Sequence, residues 1–215
     1  MKRKNVISSS PLVEITLLHR AMRLELESLC ELARGLEGAG AGAPALPELR
    51  ARFRNFDLVF ASHSAAEDDV VFPRLASAAN RDVAAAAAAE HVDEAQLVDG
   101  AAAALDRAAR EGVDAETVSA VQSLKEKLTE HMAREEEEIF PLLADVPDGE
   151  LRRMVGLVLG SRPADVLEQT IRLQVRHLEP DLARHVLATM CDVARRTHFR
   201  RWLDRSLGAA APPPP

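Results

Sequence analysis

Apolar residues recur at Leu12, Ile15, Leu18, Met22, Leu26 and Leu29, three or four positions apart, the spacing that lines one face of a helix. Ser10 can cap this helix, and Pro11 suits its first position. The stretch GLEGAGAGAPALP then breaks the pattern with glycine and proline. A second helix is predicted from about Pro47 to Ala76. Asn80 and Asp82 can cap a third, alanine-rich helix that reaches about Arg110. Glu111-Gly112 closes it, and Asp114 can cap a fourth that continues to about Leu143. Four rods of roughly 25–30 residues on short loops predict an all-α, up-down-up-down four-helix bundle over residues 11–146.

A Phe-Pro pair near the end of the second and fourth helices should kink or stop each, because proline has no amide hydrogen. The alanine run Ala84 to Ala89 should let the third helix approach its neighbours closely. Residues 147–207 predict a helical C-terminal appendage of shorter helices, punctuated by Gly160-Ser161-Arg162-Pro163 and Glu179-Pro180. Residues 1–10 are expected to be a disordered N-terminus, and 208–215 an alanine- and proline-rich linker of the kind that joins domains in a longer chain.

Composition supports helices: hydrophobic residues make up 47%, dominated by alanine and leucine, while aromatics are 3% and tyrosine is absent. A formal charge of −7 argues against non-specific binding to nucleic acid or to an anionic membrane surface. No apolar run approaches the roughly 18 residues that would span a bilayer. The basic start MKRKN leads into SSSPL rather than an apolar segment, so a secretory signal is not expected. Cys30 and Cys191 stand alone, with neither zinc-finger spacing nor a disulfide framework. These features predict an intracellular setting, cytoplasmic or nuclear.

The chemistry lies in a doubled motif. HSAAEDDVVFPRL, from His63, and HMAREEEEIFPLL, from His131, align so that His63, Glu67, Phe72, Pro73 and Leu75 fall on His131, Glu135, Phe140, Pro141 and Leu143. Residues four apart share a helix face, so each histidine projects beside its glutamate. The first and third helices add His19 and His91, the latter followed one turn on by Glu94. If these faces point inward, His19, His63, Glu67, His91, Glu94, His131 and Glu135 converge. Buried carboxylates without cationic partners are very costly, and no lysine or arginine shares their faces. Imidazole with carboxylate suits iron, manganese or zinc, and a carboxylate can bridge two ions.

Asp68, Asp69 and Glu136 to Glu138 read as a solvated acidic face and stay outside the set. His177, His185 and His198 lack carboxylates at matching offsets, which predicts surface or structural roles, and Met22 and Met132 read as core filler. No residue is singled out as catalytic.

The skeleton of one histidine, His-x-x-x-Glu, one histidine and His-x-x-x-Glu resembles the hemerythrin-like, or HHE cation-binding, family over roughly residues 11–144. With the EHVDE stretch and the trailing FRRWLDRSL, the chain is similar to the hemerythrin-like repeats of BRUTUS-type plant and algal iron-sensing ubiquitin ligases. The resemblance implies two iron ions in a non-haem di-iron centre. His19 and His63 would ligate one ion and His91 and His131 the other. Glu67 and Glu135 would bridge them, with Glu94 a terminal ligand. Oxygen-carrying members use five histidines, whereas four are placed here. The implied function is regulatory, sensing iron and also dioxygen as part of a multidomain protein. Its ubiquitin ligase activity would lie outside this chain. An oxygen-storage protein or a di-iron oxidase are the alternatives.

Overall fold

The computed structural model describes residues 12–75 and 80–194, with side chains described to residue 187. The caps at Ser10 and Pro11, the N-terminus 1–10, His198, the FRRWLDRSL motif and the linker 208–215 lie outside the described residues. Among the described residues there are helices and no strand, so the fold is all-α.

Four rods form the bundle. The first is α1, Leu12–Gly35. The second runs from α2, Leu46–Ala66, through a π turn at Glu67–Val71 into α3, Phe72–Leu75. The third is α4, Arg81–Glu111. The fourth runs from α5, Ala115–Arg134, through a second π turn at Glu135–Ile139 into α6, Phe140–Ala144. Each rod packs on two others in a closed ring, α1 on α2, α2 on α4, α4 on α5 and α5 on α1. Asp114 caps α5 as predicted, accepting the Thr117 amide hydrogen at 2.7 Å and the Thr117 hydroxyl at 2.6 Å. Asn80 precedes α4 without a side-chain cap bond.

The Phe-Pro pairs were expected to kink or stop their helices, and each rod instead passes through as a π turn. An α register would drive the proline ring into the carbonyl four residues back. In the wider register the Phe72 amide donates to the Glu67 carbonyl and the Phe140 amide to that of Glu135, five residues back.

Two apolar clusters flank a polar layer. The larger fills most of the bundle around Leu26, Leu49, Phe53, Phe56, Leu105 and Leu124. Fully burying one such leucine or phenylalanine contributes roughly 1.5–3 kcal/mol. The smaller gathers Val71, Phe72, Leu75, Ala84, Ile139 and Leu143 beyond the polar layer. In the third rod Ala101, Ala104 and Ala108 are all buried. Of the run Ala84 to Ala89 only Ala84 is buried, and Ala87 and Ala88 lie half-buried against the smaller cluster.

Three further helices follow: α7, Asp148–Ser161; α8, Ala164–His177; and α9, Pro180–Ala194. Leu151 and Met154 of α7 join the smaller cluster. Leu173 of α8 and Ala183 and Val186 of α9 join the larger one. Among the described residues no helix is long and apolar enough to cross a membrane.

Candidate metal centre

Successive rods alternate in direction, which brings distant residues to one level. His19 and His91 lie near the starts of their helices, His63 and His131 near the ends of theirs. In an up-down bundle starts and ends meet, so all four rings converge at one end. Glu67 and Glu135 sit one turn beyond the paired histidines and open the two π turns. All six side chains are buried.

Their ligand atoms fall into two four-residue groups, His19, His63, Glu67 and Glu135, and Glu67, His91, His131 and Glu135. Within each group the atoms lie inside 4.8 Å of one another, and both carboxylates belong to both groups. Nε2 of His63 lies 3.3 Å from Oε2 of Glu67, and Nε2 of His131 lies 3.5 Å from Oε2 of Glu135. Nε2 of His91 is 3.6 Å from Glu67, and Nε2 of His19 is 3.6 Å from Glu135. Nε2 of His19 also lies 3.1 Å from Nε2 of His63. Ligands on an ion with bonds of about 2.1 Å stand about 3.0 Å apart at right angles and about 3.4 Å apart in a tetrahedron. The gaps are therefore ion-sized.

The rest of the doubled motif serves the neighbouring rod. Asp68 follows Glu67 and lies 3.0 Å from Nδ1 of His91; Glu136 follows Glu135 and lies 3.0 Å from Nδ1 of His19. Phe72 stacks on the His91 ring at 5.6 Å between centroids, and Phe140 lies over the His19 ring at 5.4 Å. Each copy thus supplies a shared carboxylate, an acid that orients a ring across the interface, and an aromatic cover for that ring. Glu90 plays the orienting part for His131, 3.0 Å from its Nδ1. Asp68 and Glu136, which read from the sequence as part of a solvated face, instead reach a ring on a neighbouring rod, as does Glu90 from the acid-rich segment around Glu94. The legible signal was an acid directly after the motif glutamate in both copies.

Those acids fix the tautomers. A carboxylate only accepts, so Nδ1 of His19, His91 and His131 carries the proton and Nε2 turns a lone pair inward. Burial lowers the pKa of His19, with Glu136 opposing, and takes His63 well below its ordinary range, aided by the neighbouring rings. Burial also brings His131 down to about 4. Burial, with repulsion from Glu135, pushes Glu67 well above the usual carboxylate range. Burial and the charge of Glu94 push Glu135 up to about 8. Oε2 of Glu67, both oxygens of Glu135, and Nε2 of His91 and His131 are buried without a hydrogen-bond partner. Five orphaned acceptors around two ion-sized gaps, with neutral imidazoles among them, fit a pair of divalent cations.

Glu94 stands elsewhere. It is fully buried, but it joins a third group with Glu90 and His131, 3.0 Å from Nδ1 of that ring rather than Nε2. The structure brings it into neither four-residue group. Burial and the charge of Glu90 push its carboxyl up to about 8.

Outside the centre, His185 pairs with Glu14 at 2.9 Å, and His177 pairs with the buried Glu25. Arg52 chelates the same carboxylate through two bonds of 2.9 Å, and Arg176 approaches it at 3.2 Å, tying α1, α2 and α8 together. Burial alone would raise Glu25, but the hydrogen bonds from His177 and Arg52 and the arginine charges outweigh it and hold it down at about 2. This cluster was not legible from spacing. Met22 and Met132 are buried in the larger core.

The model of the hemerythrin HHE cation-binding domain matches residues 10–143. The zinc finger protein BRUTUS of Arabidopsis thaliana is 32% identical over 138 residues, covering 63% of this chain and 11% of that protein. Two BRUTUS-like zinc finger proteins of the same plant are 24% identical over 208 residues and 27% identical over 197. They cover 90% and 87% of this chain, which spans only 16% and 15% of their lengths. No solved structure matches the chain significantly. Four rods, two shared carboxylates and a family match through both histidine–glutamate motifs have one reading: the chain belongs to the hemerythrin HHE cation-binding family.

Proposed function

We propose that the chain is an iron-responsive regulatory module built around a non-haem di-iron centre. His19 and His63 serve one ion, His91 and His131 the other, and Glu67 and Glu135 both. The observation that carries this reading is the pair of ion-sized groups that share two carboxylates. Bound iron would supply one-electron chemistry and a site for dioxygen. The protein's part is to hold His19, His63 and His131 neutral by burial, orient rings through Asp68, Glu136 and Glu90, and cover two of them with phenylalanine. Without cations the carboxylates face one another in a poorly solvated layer and loosen the rods. With cations the four rods are pinned together, and binding adds to stability. The likeness to much longer BRUTUS proteins supports a place within a larger protein. The setting that goes with this proposal is a ubiquitin ligase of the cytoplasm or nucleus, where the ordered and loosened forms expose different surfaces.

Anaerobic titration of iron(II) into metal-free chain, followed by elemental analysis and melting, tests this. Two ions per chain and a higher melting temperature are expected. At an ion concentration 100-fold above Kd the gain is about 2.7 kcal/mol per site. Uptake of fewer than two, or no gain in stability, overturns the reading. Manganese and zinc suit the same donors, so the titration is repeated with each.

Dioxygen as a second ligand is favoured by one feature. A cavity of about 70 Å³, lined mainly by apolar residues including Ile15, Val71, Leu151 and Met154, reaches His63 and Glu67. Reversible spectral change on exposing the iron(II)-loaded chain to oxygen supports that role; irreversible oxidation counts against it.

A further inference from the structure

The two halves of the centre match through the doubled motif but differ in what lies beside them. One position before and three positions after His19 stand Leu18 and Met22; at the same places around His91 stand Glu90 and Glu94. The side of the centre near Leu18 borders a cavity that mixes aliphatic residues such as Ile15, Val59 and Val155 with Glu14 and Arg162. The side near Glu90 borders a small cavity of about 20 Å³, lined by Glu90, Arg134, the shared Glu135, the exposed Glu138 and four apolar residues. Glu90 links this cavity to the third group of ligand atoms, which it forms with Glu94 and His131. Both oxygens of Glu94 are buried there without a hydrogen-bond partner, since the His131 Nδ1 proton goes to Glu90. Arg134 holds the other oxygen of Glu90 at 2.9 Å.

We propose that Glu90 and Glu94 form a transit site for divalent cations, reached past Glu138 through this cavity, from which an ion passes inward to the gap bounded by Glu135 and His131. The inference rests on the di-metal reading. Because His131 keeps its Nδ1 proton, the ion is held in transit by carboxylates alone. That grip is looser than in the inner gaps, where imidazoles add to it, so the ion moves on. Arg134 supplies positive charge to Glu90 until an ion displaces it. Two acids, Glu90 and Glu138, line the cavity on this side beside the shared Glu135, whereas the single acid of the opposite cavity, Glu14, is paired with His185 and shares that cavity with Arg162, so this side draws cations more strongly.

Stopped-flow uptake of cobalt(II) under anaerobic conditions, read by its visible absorption, tests the proposal on the whole chain. The wild type, Glu94→Gln and Glu138→Gln are compared for rate at limiting cobalt and for final stoichiometry. Glu94→Gln should still take up two ions but roughly tenfold more slowly. Glu138→Gln should slow uptake at low ionic strength, with the difference vanishing at high salt. An unchanged rate in Glu94→Gln overturns the transit site. Loss of one ion from its final count also overturns it, because Glu94 would then be a ligand of the pair. If circular dichroism shows Glu94→Gln unfolded, the exposed Glu138→Gln decides, and an unchanged low-salt rate sinks the proposal. A wild type that takes up no cobalt overturns the di-metal reading as well, so the two failures are told apart.

Discussion

At the scale of single residues, the centre is a concentration of groups that oppose the fold until something positive joins them. Glu135 sits 2% exposed with both oxygens unpartnered, beside Glu67 in the same state at one oxygen. Replacing it by glutamine keeps the shape and removes a carboxyl whose ionisation burial opposes, its pKa being pushed up to about 8. Glu135→Gln should raise the stability of the metal-free chain by about 1–3 kcal/mol in denaturant titration and abolish two-ion uptake. A helical adaptor without a metal site would show no change in uptake, because it would have none. The orienting acids act through the rings. Glu136→Gln keeps a hydrogen-bond acceptor but loses the charge that holds the His19 tautomer, with Arg23 2.9 Å from the same carboxylate. Metal affinity should fall by roughly 10–100-fold, measured by competition with a chelator, while the stoichiometry stays at two.

Among the elements, the two π turns and one loop contact carry most of the architecture that spacing alone does not reveal. Each π turn begins at a shared glutamate and ends at the phenylalanine before proline, so one local distortion sets the carboxylate, the orienting acid and the aromatic cover together. At the far end of the bundle the loops after α1 and α4 clasp. Gly38 N–H donates to the Val113 carbonyl at 2.8 Å, and Val113 N–H donates to the Ala39 carbonyl at 2.9 Å. Gly112 makes this possible with φ of 100°, and a Cβ there would stand 2.6 Å from the Ala39 oxygen. Gly112→Ala should therefore destabilise the chain by about 1–3 kcal/mol in thermal or denaturant melts. Cobalt stoichiometry should remain two, since the clasp lies at the end away from the centre.

For the molecule as a whole, the question is what couples the bundle to the helices that follow it. Glu25 is the main polar tie, with Arg52 from α2 and Arg176 and His177 from α8 around one buried carboxylate. Its pKa falls from an ordinary 4.5 to about 2 in the folded chain. A depressed carboxylate stabilises above its unfolded value and loses that contribution as pH falls through the folded one. The stabilisation, on the order of 2–3 kcal/mol, should thus be complete above pH 4.5 and vanish toward pH 2. Glu25→Gln should cost about 3 kcal/mol at neutral pH, and the gap from wild type should close across that acid window in melting experiments. A gap that stays constant with pH would rule out Glu25 as the titrating tie.

Much of this was written in the chain by local rules. The helical period set the four rods, Asp114 set a cap, and the repeated His-x-x-x-Glu set which faces carry donors, because a residue four positions on always shares its neighbour's face. Those rules act within one helix, so they name His19, His63, Glu67, His91, His131 and Glu135 as soon as the rods are granted. They are silent on what faces a side chain from another rod. Tertiary packing alone decided that Asp68 and Glu136 orient rings across the interface and that Arg52, Arg176 and His177 surround Glu25. It also turned Glu94 toward the far nitrogen of His131. Contacts between residues tens of positions apart leave no periodic trace, since each rod keeps its own register whatever it meets.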